Sequence, residues 1–234
     1  MTTTTENGAP RVSAILAVYD GAAYLREALD SMLGQSTPPD EVIVVDDGST
    51  DETPAILQTY GDRIRVLVQP NRGQGAALAM GVAFAKGTII GFNDADDLWT
   101  PDKQRIQLAA LDADPDLDAV FGMTKQFVSP ELGDDDRARL APRHPLLKGE
   151  IGQAMLIYRA TFERFGGIDA ASREAWFVDW LARAKAGGLR SAVVPDVVHL
   201  RRLHLNNYGR INAAERNRFH LQALRQSVLR SRGG

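Results

Sequence analysis

The sequence predicts an α/β domain built on a mostly parallel central sheet with helices on both faces. Three observations carry that prediction. Short apolar runs rich in branched residues alternate with helical stretches through the first hundred residues, the pattern of successive βαβ units. The first of these runs is apolar almost throughout and reads as a buried strand. Polar and acidic residues gather at three strand ends, and ligands of such sheets sit beyond the carboxyl ends of the strands.

Taken in order, residues 12–18 are the first strand, and the polar turn Asp20-Gly21 comes next. Tyr24, Leu25, Ala28, Leu29, Met32 and Leu33 then recur at three and four residues, a helical stripe that Pro38-Pro39 ends. Residues 41–45 are the second strand, closed by Asp46-Asp47-Gly48-Ser49. Ser49 or Thr50 is expected to cap the next helix, with acids in its first turn favouring the dipole. Residues 64–68 form the third strand, 73–86 a helix of small residues, and 87–92 a fourth strand ending in acids. The second half is less regular. A turn at 112–118 leads to a strand over 119–128 and a polar surface loop over 133–149. Residues 154–158 are strand-like, followed by a short helix ended by Gly166-Gly167. A helix over 177–185 stops at Gly187-Gly188, residues 190–203 are extended, and 212–230 read as an amphipathic helix.

Composition bounds the function. At 234 residues, 44% hydrophobic and 24% charged, the chain has the material for one domain with a core. The absence of cysteine excludes disulfide scaffolds, thiolate metal sites and cysteine nucleophiles. The longest nearly apolar run, residues 76–85, is too short to cross a bilayer. Residues 1–10 lack the features of a signal peptide and read as a disordered N-terminus, so a cytoplasmic location is expected. Net charge is −3, unevenly spread: residues 201–234 hold eight arginines and one acid, leaving −10 on residues 1–200. An acidic body is no nucleic-acid binder. The basic C-terminal helix, 208–234, is either an ordinary solvated helix or a point of contact with a phosphate, an acidic partner or a membrane surface.

Asp94-Ala95-Asp96-Asp97 is the most informative cluster. Three carboxylates within four residues repel one another unless cations or hydrogen bonds offset their charge, and a hard divalent ion with oxygen ligands, Mn2+ or Mg2+, is the natural solution. The plainer alternative is that Asp94 and Asp97 cap a turn. In Asp46-Asp47-Gly48-Ser49-Thr50-Asp51, Ser49 and Asp51 suffice for capping, which leaves Asp47 to accept from a base N–H or a ribose hydroxyl. No Gly-x-Gly-x-x-Gly or Walker-type lysine accompanies it. Trp99, Trp176 and Trp180 either stack on sugar faces or pack the core, and Asp134-Asp135-Asp136 reads as a solvated charge run.

The segments 12–20, 42–51, Asn71-Arg72-Gly73 and 92–99 resemble the signature of glycosyltransferase family 2 in order and spacing. Phe165-Gly166-Gly167-Ile168-Asp169, Asp179-Trp180 and Arg202-Leu203-His204-Leu205-Asn206 are similar to its later motifs. The resemblance covers residues 11–207 and implies the A-type glycosyltransferase fold, with a nucleotide-sugar-binding half (11–103) and an acceptor-binding half (104–207). It further implies an inverting, metal-dependent transfer from a nucleotide-diphosphate sugar, uridine-linked in most relatives, to an acceptor hydroxyl on a saccharide, lipid-linked or peptide molecule. Ala17 and Tyr19 fall where the family frames the base, Asp47 where a carboxylate recognises it, and Gly75 and Asp94 in donor-binding segments. Asp96 aligns with the metal-binding acid and Asp179 with the catalytic base. Arg202 and His204 match a motif that closes over the diphosphate, His204 as a further metal ligand. Departures from the family pattern are Asp20 where Asn is usual, Leu78-Ala79 for an Arg-Asn pair, and Val178 for an acid before the base; they blur donor and acceptor identity. A nucleotide-sugar-binding module without turnover is the alternative from another class.

Overall fold

The computed structural model describes residues 12–169 and 175–207. The expected N-terminal segment 1–10, the basic helix 208–234 and its amphipathic part 212–230 lie outside the described residues. The chain runs β1 (Val12–Val18), α1 (Leu25–Leu33), β2 (Glu41–Asp46), α2 (Thr53–Gln58), β3 (Arg65–Val68), α3 (Gln74–Phe84), β4 (Ile89–Asp94) and β5 (Leu98–Trp99). It continues as α4 (Lys103–Ala113), β6 (Ala119–Val128), α5 (Asp134–Leu140), β7 (Leu146–Leu147), β8 (Met155–Tyr158), α6 (Arg159–Arg164), α7 (Trp176–Ala186) and β9 (Ser191–Leu203).

One sheet holds every strand, in the order β3-β2-β1-β4-β8-β6-β9-β5, with β7 on β6. The first four strands are parallel, as the alternation of strand and helix requires. β8 pairs antiparallel with both β4 and β6, while β6 and β9 run parallel. β1 is buried at all seven positions because both faces are covered. Ile15, Ile43, Val45 and Phe92 meet α3 and α7 on one face; Ala14, Leu16, Val42 and Val44 meet α1 and α2 on the other. Each Val, Leu, Ile or Phe side chain among these contributes about 1.5–3 kcal/mol through burial. The small residues of α3 have a packing reason. A Cβ on Gly81 would lie 2.5 Å from Ile15 Cγ2, so a bulkier residue there would push the helix off β1.

Two expected elements differ. The loop over 133–149 contains α5 and β7, and Asp134, Asp135 and Asp136 occupy the first turn of α5, where acids favour the helix dipole. Neither Ser49 nor Thr50 caps α2. Ser49 Oγ accepts from the Asp20 amide, and Asp51 Oδ1 accepts from the Thr53 amide at the helix start. The three tryptophans are core: all are at most 2% exposed, with Trp99 Nε1 donating to the Phe92 carbonyl, Trp180 stacked on Phe162, and Trp176 against Phe92. Stacking of Trp99 or Trp180 on a sugar is thereby excluded in this structure.

The two-residue strand β5 has a large effect on the shape of the rim. The chain leaves β4 in the middle of the sheet and four residues later pairs with β9 at its far edge, Trp99 opposite His199. The acidic segment therefore spans a curled sheet, and the end of β9 is drawn over it.

Candidate active site

The strand ends β1, β2 and β4 are adjacent, with Ala17 opposite both Val45 and Asp94. Tyr19 stands 51% exposed just beyond β1. Asp20 adopts the left-handed region (φ 47°), and its Oδ1 accepts from the amides of Thr50 and Asp51, fastening the loop after β1 to the loop after β2. Gly48 (φ 80°) permits the turn; a Cβ there would sit 3.0 Å from the Asn71 amide nitrogen.

Asp47 is buried, and it is not spare. Its Oδ1 accepts from Gln69 Nε2 (2.6 Å) and the Arg72 amide (2.9 Å), its Oδ2 from the Gly73 amide (2.8 Å). A carboxylate offers about four lone-pair positions, so one direction remains for a ligand N–H. The next residue, Gln74, donates from Nε2 to Asp94 Oδ1 at 2.8 Å, so consecutive residues at the start of α3 join Asp47 to Asp94. Gly75 is buried in the same first turn.

Asp94, Asp96 and Asp97 present carboxylate oxygens that all lie within 4.8 Å of one another. Asp94 accepts a second amide donor, Gln153 Nε2, on Oδ2. Burial, then the charges of Asp97 and Asp96, push its carboxyl up to about 7. Asp96 Oδ2 faces His204 Nε2 at 2.9 Å and accepts from Asn207 Nδ2 at 3.1 Å. Asp97 turns inward: Oδ1 accepts from the Arg202 amide, and Oδ2 lies 3.0 Å from His199 Nε2 without hydrogen-bond alignment. Burial, then Asp96, holds the Asp97 carboxyl well above its usual range, and burial pushes His199 down to about 3. Crowded, mutually repelling oxygens with Asp94 and Asp96 the less buried pair fit a hard divalent cation.

Arg202 departs from expectation. It is 1% exposed, with its guanidinium between the rings of Tyr24 (4.6 Å) and Phe127 (4.9 Å). Nε donates to the Asp96 carbonyl, Nη1 to Ser129 Oγ and Nη2 to Glu27 Oε2. Its charge is spent on the fold beneath the acidic segment, not turned toward a diphosphate. Asp179, in the first turn of α7, is 7% exposed and accepts from Arg183 Nε at 3.1 Å. Arg183 also donates to the carbonyls of Phe165 and Gly167, which explains structurally why Phe165-Gly166-Gly167 and Asp179 occur together. The start of α7 packs on the tight helical turn Gly152–Ala154, whose Gln153 holds Asp94.

Sequence reasoning missed Gln74, Gln153, His199, Asn207 and the buried Lys103. Lone amides carry no pattern, and the motif ending at Asn206 stopped one residue short of the asparagine that touches Asp96. Lys103 is wholly buried, donates to Gln107 Oε1 and lies over the Trp99 ring; burial lowers its pKa well below the usual lysine value.

The Glycosyl transferase family 2 profile matches residues 13–168 of the chain. The chain belongs to glycosyltransferase family 2. An uncharacterized glycosyltransferase of Rickettsia typhi is 34% identical over 184 residues, 72% of this chain and 58% of that protein. The hyaluronan synthase of Pasteurella multocida is 36% identical over 128 residues, 53% of this chain and 13% of the synthase. The chain thus spans less than two thirds of these relatives. Among solved structures, the mannosyltransferase PcManGT of Pyrobaculum calidifontis, in complex with GDP-Man and Mn2+, superposes with a TM-score of 0.66 at 26% identity, covering 96% of this chain and 65% of that one. S. aureus TarS in complex with UDP gives 0.65 at 19% identity over 86% of this chain and 63% of that one, a likeness of fold. The fold of this family 2 chain is the A-type glycosyltransferase fold. Among the described residues no helix is long and apolar enough to cross a membrane.

Proposed function

We propose that this family 2 chain moves a sugar from a nucleotide-diphosphate sugar, uridine-linked, to an acceptor hydroxyl with inversion at the sugar carbon. The observation that carries the reading is the cluster of Asp94, Asp96 and Asp97, with His204 on Asp96, beside the loop that Asp47 organises. The mannosyltransferase in complex with GDP-Man and Mn2+, and the like fold in complex with UDP, support it. Asp47 accepts from the base, with Tyr19 and Ala17 framing it and the small Gly75 leaving room at the start of α3. Asp94, Asp96 and His204 hold Mn2+ or Mg2+, which when bound offsets the charge of the departing diphosphate. Asp179 takes the proton of the acceptor hydroxyl as that oxygen attacks the sugar carbon opposite the leaving group. Arg183 holds the Asp179 carboxylate in its orientation; Gln74 and Gln153 hold both oxygens of Asp94 in place.

The test is manganese-dependent hydrolysis or transfer from a panel of sugar nucleotides by wild type, Asp96→Ala and Asp179→Asn. Asp96→Ala is expected to lose metal-dependent turnover. Asp179→Asn is expected to retain nucleotide and metal binding while losing transfer. Full transfer by both variants would remove the site assignment, and binding without product from any acceptor would leave a nucleotide-sugar-binding module.

A further inference from the structure

A concavity of about 360 Å³ opens beside the acidic segment, between α5, the loop after it and the end of β9. Its walls carry Arg139, Arg143, His144 and Arg201, with Gln126 and Asn207 between them, and among the described residues no carboxylate lines it. Arg139 pairs with Asp136 on its own helix at 2.9 Å. The side chains of Arg143 and Arg201 make no hydrogen bond or ion pair with any other described residue. Arg139, Arg143 and His144 gather here although residues 1–200 carry −10 overall, and Arg201 joins them from the basic remainder. Converging basic groups repel one another, and an anion between them relieves that repulsion. Guanidinium forks match phosphate oxygens in pairs, which a point charge does not. Gln126 fixes the wall: its amide donates to the Pro145 carbonyl and its Nε2 to the His144 carbonyl, so the loop bearing Arg143 and His144 is tied to β6.

Asn207 belongs to both sites, lining the concavity and donating to Asp96 Oδ2. We propose that this pocket binds a phosphate group carried by the acceptor, as a monoester or diester, and so delivers that acceptor beside Asp96. The inference rests on the transfer reading and adds the class of acceptor. The donor diphosphate would take its counter-charge from a divalent cation held by the acidic cluster, which leaves this second, basic site for a different molecule.

The experiment compares wild type with Arg143→Gln/Arg201→Gln, and with Arg143→Gln alone at its exposed position. Glycerol 3-phosphate is titrated by calorimetry in EDTA, so that no metal on the acids contributes and the difference between wild type and double variant reports the basic pocket. Vesicles of phosphatidylglycerol in phosphatidylcholine form the lipid arm, read by co-sedimentation. The expected result is wild-type binding of at least one probe, weakened tenfold or more in the double variant. Loss confined to the vesicle arm assigns a lipid-borne phosphate, and loss of glycerol phosphate binding a soluble one. Equal binding by wild type and double variant, or no binding of either probe by wild type, overturns the proposal. UDP with Mn2+ is titrated into the same samples and is expected to bind all three proteins alike. Its failure to bind any of them would count against the transfer reading while the phosphate result stands by itself.

Discussion

Asp96 and His204 are 108 residues apart in the chain, yet Oδ2 of one lies 2.9 Å from Nε2 of the other. The contact exists because β5 hands the chain from the sheet centre to its edge, where β9 ends. Asn207 braces the same carboxylate oxygen and donates to the Arg202 carbonyl through the same nitrogen, while its Oδ1 accepts from the His204 amide. Groups that orient a metal ligand are worth about 10–100-fold in metal affinity or activity. Asn207→Ala is therefore expected to raise the Mn2+ concentration needed for half-maximal turnover by about that factor, with saturating activity less affected. Manganese titrations of wild type, Asn207→Ala and Asn207→Asp read the effect. An unchanged manganese requirement in the alanine variant would mean that Asp96 needs no brace.

Arg202 yields a prediction about stability. Its planar guanidinium fills the space between Tyr24 and Phe127 and places three nitrogens on three acceptors from separate elements. Lysine keeps the charge but cannot make that fork or stack flat. Each buried polar group left unpaired costs about 1–3 kcal/mol. Arg202→Lys is expected to lower the urea midpoint substantially, and Arg202→Gln further, with nucleotide binding weakened through movement of Asp96. Equal midpoints for wild type and Arg202→Lys would show that charge alone suffices there.

How far the sequence disclosed this molecule depends on how local each signal is. The strand β1, the strand β6 and the helix α7 were legible to within a residue or two because apolar runs and helical stripes are properties of neighbouring residues. The adjacency of the β1, β2 and β4 ends was legible as well, since a parallel sheet puts its strand ends on one rim. Arg202 was misplaced for the opposite reason. Its surroundings come from α1, β6 and the turn after β4, and no local pattern says that a guanidinium will be sandwiched by Tyr24 and Phe127. The helix α5 was hidden by its charges, because acids grouped at a helix start and basic residues at its end look like a polar loop until the dipole is considered.

The Asp20 position predicts a graded series. A non-glycine residue in the left-handed region costs about 1–2 kcal/mol, less for Asp and Asn, which bond locally. Here the carboxylate accepts from two amides of the neighbouring loop. Asp20→Asn keeps one oxygen acceptor and is expected to melt within a few degrees of wild type. Asp20→Val loses the acceptor and places a β-branched residue at φ 47°, for an expected loss of about 2–3 kcal/mol. Thermal melts rank the three proteins; Val equal to Asn would show that the link between the two loops contributes nothing.

Glu131 predicts a pH dependence with a definite sign. Its Oε1 accepts from the Tyr24 hydroxyl and its Oε2 from Ser129 Oγ, and Tyr24 in turn stacks on Arg202 and against His204. The hydrogen bond from Tyr24 leads the causes that lower the Glu131 carboxyl from 4.5 to about 2. A carboxyl depressed in the folded state adds stability above its unfolded value, and that contribution fades as pH falls through the folded one. The window therefore runs from about pH 4.5 down to about pH 2. Glu131→Gln keeps an acceptor but cannot ionise, so it forgoes this contribution at neutral pH and has nothing to lose in acid. Wild type is expected to be the more stable protein at pH 7, and the gap between the two urea midpoints is expected to close as pH approaches 2. The side chain is exposed, so the gap is small and shrinks further in high salt. A gap that is constant from pH 7 to pH 2 would mean that the carboxylate charge contributes nothing to the hold on Tyr24.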